Sequence, residues 1–201
     1  PAPLTLFSDV QKLESGHYLT LATDGNLRLE EYWNPLQQQK EIYDEQTYIV
    51  KIRSILEDSI EKQMISDVPF GCFLSGGIDS SVNAALMSKA LGKPVETFSI
   101  GTKAFDSYNE FQYSRRTAEL LGANTHERLV DHNDLVQFLP LYARHADDPN
   151  GDQICFLVYY LSELVRKNGV IVAQVGEGSD EIFAGYDAYQ RAVNLHENIW
   201  K

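Results

Sequence analysis

Positive charge is scarce in this sequence. Its 201 residues carry 17 lysines and arginines against 29 aspartates and glutamates, a formal charge of −12 at pH 7. That balance excludes a broad nucleic-acid face and leaves room only for a local basic patch. Cysteine is nearly absent. Cys72 and Cys155 lie far apart in apolar runs, without the density of a disulfide scaffold or the spacing of a metal site, so buried thiols in a reducing cytosol are expected. No apolar run is long enough to span a membrane and no secretory leader pattern opens the chain, which points to a cytoplasmic protein with no membrane partner. The histidines, at positions 17, 126, 132, 145 and 196, show no metal-ligand spacing. Internal repeats are missing, and the only low-complexity tract is the short glutamine run at 37–39. A hydrophobic content of 43% with 11% aromatics argues against disorder and suffices for one globular domain. Both ends, Pro1 and the helical "NLHENIWK", read as cut from something longer.

Residues 1–35 are irregular, with "HYLTLA" and "LRLEEYW" flanking "TDGN"; Asp24-Gly25 between two partly alternating runs predicts a hairpin. Tyr48, Ile49, Ile52, Ile55, Leu56 and Ile60 have helical spacing and predict a helix within 44–64. From Val68 onward, strand and helix signals alternate. Strands are expected at 68–74, 95–100, 124–130 and 170–175. Helices are expected at 79–91, from a Ser107–Glu110 capping box to Gly122, at 133–145 and at 154–168. This order predicts an α/β fold, a mainly parallel sheet with helices on both faces and a short N-terminal ribbon. Right-handed crossovers then gather the post-strand loops along one edge, where ligands of such folds sit. Two Gly-rich breaks, after Leu74 and after Val175, fall at that edge.

The first break is "FLSGGIDSS" (73–81). Gly76 and Gly77 let the backbone turn sharply and approach a ligand, while the following helix offers unpartnered N–H groups and the positive end of its dipole. Ser75, Ser80 and Ser81 add hydroxyl donors, and the sum is a cradle for phosphate oxygens. The lysine of a Walker A loop is missing. Asp79 instead brings a carboxylate beside the phosphates, a repulsive arrangement unless a divalent cation lies between, so Mg²⁺ is implied. The plainer alternative is a Ser-Gly-Gly turn with Asp79 or Ser80 capping a helix.

"SGGIDSS" resembles the pyrophosphate-binding loop of the N-type ATP pyrophosphatases. "VGEGSDEIFAGY" (175–186) is similar to a signature of glutamine-hydrolysing asparagine synthetases. "ETFSIG" (96–101), "THE" (125–127) and "TLFSDVQKLESGHYL" (5–19) resemble the same family in the expected order. The resemblance implies the adenine-nucleotide α-hydrolase-like (PP-loop) fold. It divides the chain into a linker or hairpin at 1–40, which in the family follows a glutaminase domain, and a synthetase domain at 41–201 that the family continues further. It implies that Ser75, Gly76, Gly77, Asp79, Ser80 and Ser81 hold pyrophosphate, with Asp79 reaching Mg²⁺. It implies too that Leu74 and Ile100 contact the nucleotide through main-chain groups, that Gly176 lies on the ribose or adenine side, that Glu177 sits by the reacting carboxylate, and that Asp180 is a second metal-side carboxylate.

A turn is the alternative for the second break as well, with Ser179 or Asp180 capping a short helix. Glu177, Asp180 and Glu181 crowd three like charges at a strand end, which a cation relieves; Glu181 also suits a helix N-terminus. Asp148 and Asp152, in "HADDPNGD" (145–152), lie where the family builds part of its acceptor pocket, and a solvated capping loop explains them equally. His126 is either the family's histidine or a satisfied strand-end residue. Cys72, Tyr159 and Tyr160 read as packing residues, and thiouridine-type tRNA chemistry lacks both its reactive cysteine and a basic face.

The implied reaction is an ATP-dependent amide ligation. Aspartate is activated as a β-aspartyl-adenylate with release of AMP and pyrophosphate, and ammonia derived from glutamine attacks it to give asparagine. The implied partners are ATP, aspartate, ammonia and the glutaminase domain of the same parent chain, with a homodimer allowed; the implied cofactors are ATP and Mg²⁺. The alternatives are a related ligase acting on another carboxylate, and a nucleotide-binding module inactive by itself.

Overall fold

Alternate residues of the central strand belong to different cores. Cys72 and Leu74 face one side with Met87 and Ala118, while Phe73 faces the other with Phe98 and Leu161. A strand buried on both faces needs covering layers above and below. The computed structural model describes residues 2–37, 41–104, 109–146 and 150–199, and it supplies both layers.

The chain begins with an antiparallel hairpin, β1 (His17–Leu21) and β2 (Leu27–Glu31), in which Leu21 pairs with Leu27 across the turn. Asp24 closes that turn by accepting the Asn26 N–H at 3.0 Å and the Asn26 amide at 2.7 Å. After a 3-10 turn at Pro35–Gln37 comes α1 (Glu45–Gln63), whose cap Asp44 accepts the Thr47 N–H at 3.0 Å. The alternating part follows as β3 (Phe70–Phe73), α2 (Ile78–Leu91), β4 (Glu96–Thr102), α3 (Phe111–Leu121), β5 (Asn124–Val130), α4 (His132–His145), α5 (Ile154–Lys167), β6 (Val172–Gln174), α6 (Ser179–Phe183) and α7 (Asp187–Ile199).

Among the described residues the second sheet is wholly parallel, in the order β5-β4-β3-β6. Helices α1, α2 and α3 supply Ile60, Met87 and Ala118 to the core on one face. On the other, α5 brings Leu161 and Val165 against Phe98, and α4 adds Phe138 beside Val130 and Tyr160. Burying each large side chain of this kind is worth about 1.5–3 kcal/mol. Helices thus lie on both faces, as the alternation predicts.

The departures are local. The last strand is expected over 170–175 but is a strand only over Val172–Gln174: the Val170 N–H still bonds the Val165 carbonyl at the end of α5, at 3.2 Å, and the pairing with β3 ends at Cys72–Gln174. Ser107 of the expected capping box lies outside the described residues, and Glu110 caps α3 without a side-chain bond. The full capping box instead belongs to α4, where Asp131 accepts the Asp134 N–H and Asp134 accepts the Asp131 N–H at 2.8 Å. Among the described residues no helix is long and apolar enough to cross a membrane.

Candidate active site

Strand β3 sits between β4, which follows it through α2, and β6, which comes from much later in the chain. The strand order therefore reverses at β3, which in open α/β sheets puts the binding crevice at the carboxyl ends of the strands flanking the switch, β3 and β6. Both Gly-rich breaks begin there. They meet: a methyl group added to Gly176 would stand 3.4 Å from the Asp79 carbonyl carbon, 3.5 Å from the Asp79 Cβ and 3.5 Å from the Ser80 nitrogen.

The first loop is tied together by its serines. The Ser75 and Ser80 hydroxyls lie 2.9 Å apart, the Ser75 N–H donates to Ser80 Oγ at 3.2 Å, and the Gly77 N–H donates to Ser75 Oγ at 3.2 Å. Gly76 takes φ +95° and rests on the first turn of α3, a conformation that disfavours any residue with a Cβ. Helix α2 starts from Gly77 with no side-chain cap, so helix geometry leaves its leading N–H groups as donors. Neither Asp79 nor Ser80 plays the capping role of the plainer reading; Asp79 stands half-buried in the first helical turn. Ser81 lies deeper, its hydroxyl 3.3 Å from that of Thr117 in α3.

Leu74 has its side chain in the core. Its N–H donates to the Phe98 carbonyl at 2.9 Å, and its carbonyl accepts the Ser99 hydroxyl at 2.5 Å, so only the carbonyl's second lone pair remains to offer a ligand. Ile100 lies two residues past Phe98 on β4, beyond the last β3 pairing at Phe73–Phe98. Thr102 is held by Asn109, whose side-chain oxygen accepts the Thr102 N–H at 2.7 Å and whose nitrogen donates to the Thr102 carbonyl at 2.9 Å. Ser99 and Asn109 went unmarked in the sequence. A lone serine in a strand and an asparagine seven residues past a strand end carry no distinctive spacing.

In the second loop Glu177 is exposed, Asp180 is half-buried in α6 with its carboxylate against Gly185, and Gly178 rather than a side chain caps the helix. The expected trio of crowded carboxylates does not form. Glu181 turns aside to accept the Tyr186 hydroxyl at 3.1 Å, and that carboxylate pushes the tyrosine above its ordinary range. Among the described residues no three histidine, cysteine, aspartate or glutamate side chains converge on a cation site. Mg²⁺ asks for less, since it binds through one or two carboxylates completed by phosphate oxygens and water, and Asp79 beside Gly176 fits that chemistry.

The remaining candidates resolve into structural roles. His126 faces Glu96 at 2.6 Å and stacks on Phe98 at 4.9 Å, while Glu127 takes a bidentate bond from Arg115 at 2.8 and 2.6 Å. Asp152 accepts the Ile154 N–H at 3.0 Å at the head of α5; Asp148 lies outside the described residues. Tyr160 donates to the Asp134 carbonyl at 2.8 Å and packs edge-on to Tyr159. Burial pushes the Cys72 thiol up to about 12, which makes it a packing group. A cleft of about 530 Å³ lined by Asp67, Pro69, Lys93 and Glu96 opens at the opposite, amino end of the sheet, away from both loops.

Known proteins resemble this sequence. The chain is 34% identical over 196 residues to asparagine synthetase [glutamine-hydrolyzing] 1 of Bacillus subtilis, covering 97% of this chain and 30% of that protein. It is 33% identical over 188 residues to a putative asparagine synthetase of Methanocaldococcus jannaschii, covering 92% and 36%. The chain thus spans about a third of the length of these relatives. Among solved structures, an NH3-dependent NAD synthetase from Campylobacter jejuni aligns with 74% of this chain and 75% of its own at 18% identity and a TM-score of 0.44. The U34-tRNA thiolase NcsA from Methanococcus maripaludis aligns with 77% and 52% at 14% identity and a TM-score of 0.49. Residues 51–201 match the model of the asparagine synthase family, and with three quarters of its length inside that match the chain belongs to this family.

Proposed function

We propose that this chain is the ATP-binding synthetase part of a glutamine-hydrolysing asparagine synthetase, in which aspartate is adenylated with release of pyrophosphate and then amidated by ammonia. The observation that carries the reading is the contact of the two loops at Asp79 and Gly176. It gives one crevice a phosphate-binding wall and, beside it, a wall bearing carboxylates.

Each residue has a task in this reading. The uncapped N–H groups of α2 and the Ser75, Ser80 and Ser81 hydroxyls hold the β- and γ-phosphates, where charge accumulates as the aspartate oxygen attacks the α-phosphorus. Gly76 and Gly77 let the backbone reach those oxygens. When bound, Mg²⁺ neutralises the phosphate charge, and Asp79, with Asp180 as a second carboxylate, holds it. Leu74 and Ile100 bound the adenine, and Gly176 keeps the floor between the loops free of a side chain. Glu177, exposed at the mouth, accepts the proton that ammonia must lose after bonding to the acyl carbon. Residues 1–40 form the connection to a glutaminase domain that supplies the ammonia, in a cytoplasmic enzyme.

The test is pyrophosphate release from Mg·ATP by the full-length protein that carries this chain. Release that depends on aspartate, with asparagine formed, supports the proposal. Release that depends only on another carboxylic acid refutes the aspartate assignment, and nucleotide binding without release in the presence of any acid refutes ligation.

A further inference from the structure

Three alternate residues on the β3-facing edge of β4 meet three different ends. Phe98 pairs with β3, its carbonyl accepting the Leu74 N–H at 2.9 Å. Thr102 has both main-chain groups taken by the Asn109 carboxamide, at 2.7 and 2.9 Å. Between them stands Ile100. In a parallel ladder the N–H and C=O of one residue point to the same neighbouring strand, and those of the residue two further along point the same way. Ile100 therefore faces the side of β3 just where β3 has ended. The Leu74 carbonyl, the ladder's next acceptor, already accepts the Ser99 hydroxyl at 2.5 Å.

Asn109 imitates a missing strand, one acceptor and one donor at the spacing of a peptide group. It can do so because residue 101 is glycine: a Cβ there would stand 2.5 Å from Asn109 Oδ1. We propose that Asn109 is a positioning residue that trims the open edge of β4 to a single N–H/C=O pair at Ile100 and fixes that pair for the N1 and N6 edge of adenine. The inference rests on the nucleotide-binding reading above. Adenine offers an acceptor at N1 and a donor at N6, complementary to that pair. Hypoxanthine offers a donor at N1 and an acceptor at O6, the reverse. A pair held at both sides discriminates between them, because the wrong base leaves main-chain groups unpaired.

The experiment is calorimetric titration of the full-length protein, in Mg²⁺, with α,β-methylene-ATP, its inosine counterpart and inorganic tripolyphosphate. The wild type is expected to prefer the adenine analogue by about tenfold or more, as one well-made hydrogen bond allows. Asn109→Ala is expected to erase most of that preference while tripolyphosphate affinity holds. Asn109→Asp, of the same size, keeps the acceptor for the Thr102 N–H but loses the donor to its carbonyl; it should show the same loss and serves if the alanine variant does not fold. Variants that retain the base preference, or that lose tripolyphosphate affinity in equal measure, overturn the proposal. A wild type that binds tripolyphosphate without distinguishing the bases overturns it too. A wild type that binds none of the three removes the nucleotide reading and this inference together. A failure of aspartate-dependent pyrophosphate release touches only the ligase assignment.

Discussion

Gly76 leans directly on Tyr113: a Cβ on the glycine would stand 2.5 Å from the tyrosine Cβ and 2.7 Å from the Ser114 nitrogen. The first Gly-rich loop is therefore braced by the first turn of α3, and no side chain fits between. Gly76→Ala combines that collision with a left-handed backbone and should cost on the order of 1–3 kcal/mol. A lower midpoint in equilibrium urea unfolding is the expected result; an unchanged midpoint would mean that the contact yields freely.

Asp79 is half-buried and caps nothing, so its carboxylate is available to a cation. Asp79→Asn should weaken binding of Mg·ATP by about tenfold or more, the scale of one charge-assisted contact, with little change in unfolding temperature. Titration with and without Mg²⁺ separates the effects. Equal affinity of variant and wild type in Mg²⁺ argues against the metal role.

Glu177 stands exposed on the second loop, where removal of its charge leaves the core untouched. Glu177→Gln should lower kcat by roughly 10²–10⁴-fold, the usual range for a general base, and leave nucleotide affinity near that of the wild type. Steady-state rates of asparagine formation beside direct binding measurements decide it, and wild-type turnover would remove Glu177 from the proton transfer.

Acid should loosen the fold in part through Glu163. The hydrogen bond from Arg128, aided by Lys167, holds its carboxyl below the ordinary glutamate range. A pKa lowered by folding contributes stability that is complete above the ordinary carboxylate range and is lost as pH falls through the folded value. Glu163→Gln should therefore be less stable than wild type near pH 7, by about 1 kcal/mol or less for a half-buried pair still in reach of solvent. The two unfolding curves should converge towards pH 3. Parallel curves across the acid range would deny the ion pair any share in stability.

Much of this architecture was legible in the residues. The alternation of β-rich runs with helical spacing from Val68 onward foretold the parallel sheet, and the glycines at 92 and 122 do end α2 and α3 in left-handed caps. What the letters could not show is who stands beside whom at a distance. The crossover rule foretold that both Gly-rich breaks share one edge, but only the strand order sets the Gly176 loop directly against Asp79, 97 positions earlier. The crowding expected of Glu177, Asp180 and Glu181 failed for a related reason. Charge density along the chain says nothing of direction, and Glu181 found a hydroxyl at Tyr186. Asn109 escaped notice because its partner is backbone, and backbone has no spelling.

Cys72 lies fully buried in the central strand, three residues before the first Gly-rich loop, whereas Cys155 is half-buried. A thiol reagent reaches the first sulfur only after the middle of the sheet parts, and the second well before that. The molecule thereby keeps a chemical clock for its own opening, and any nucleotide that slows the clock reports its grip without a single turnover.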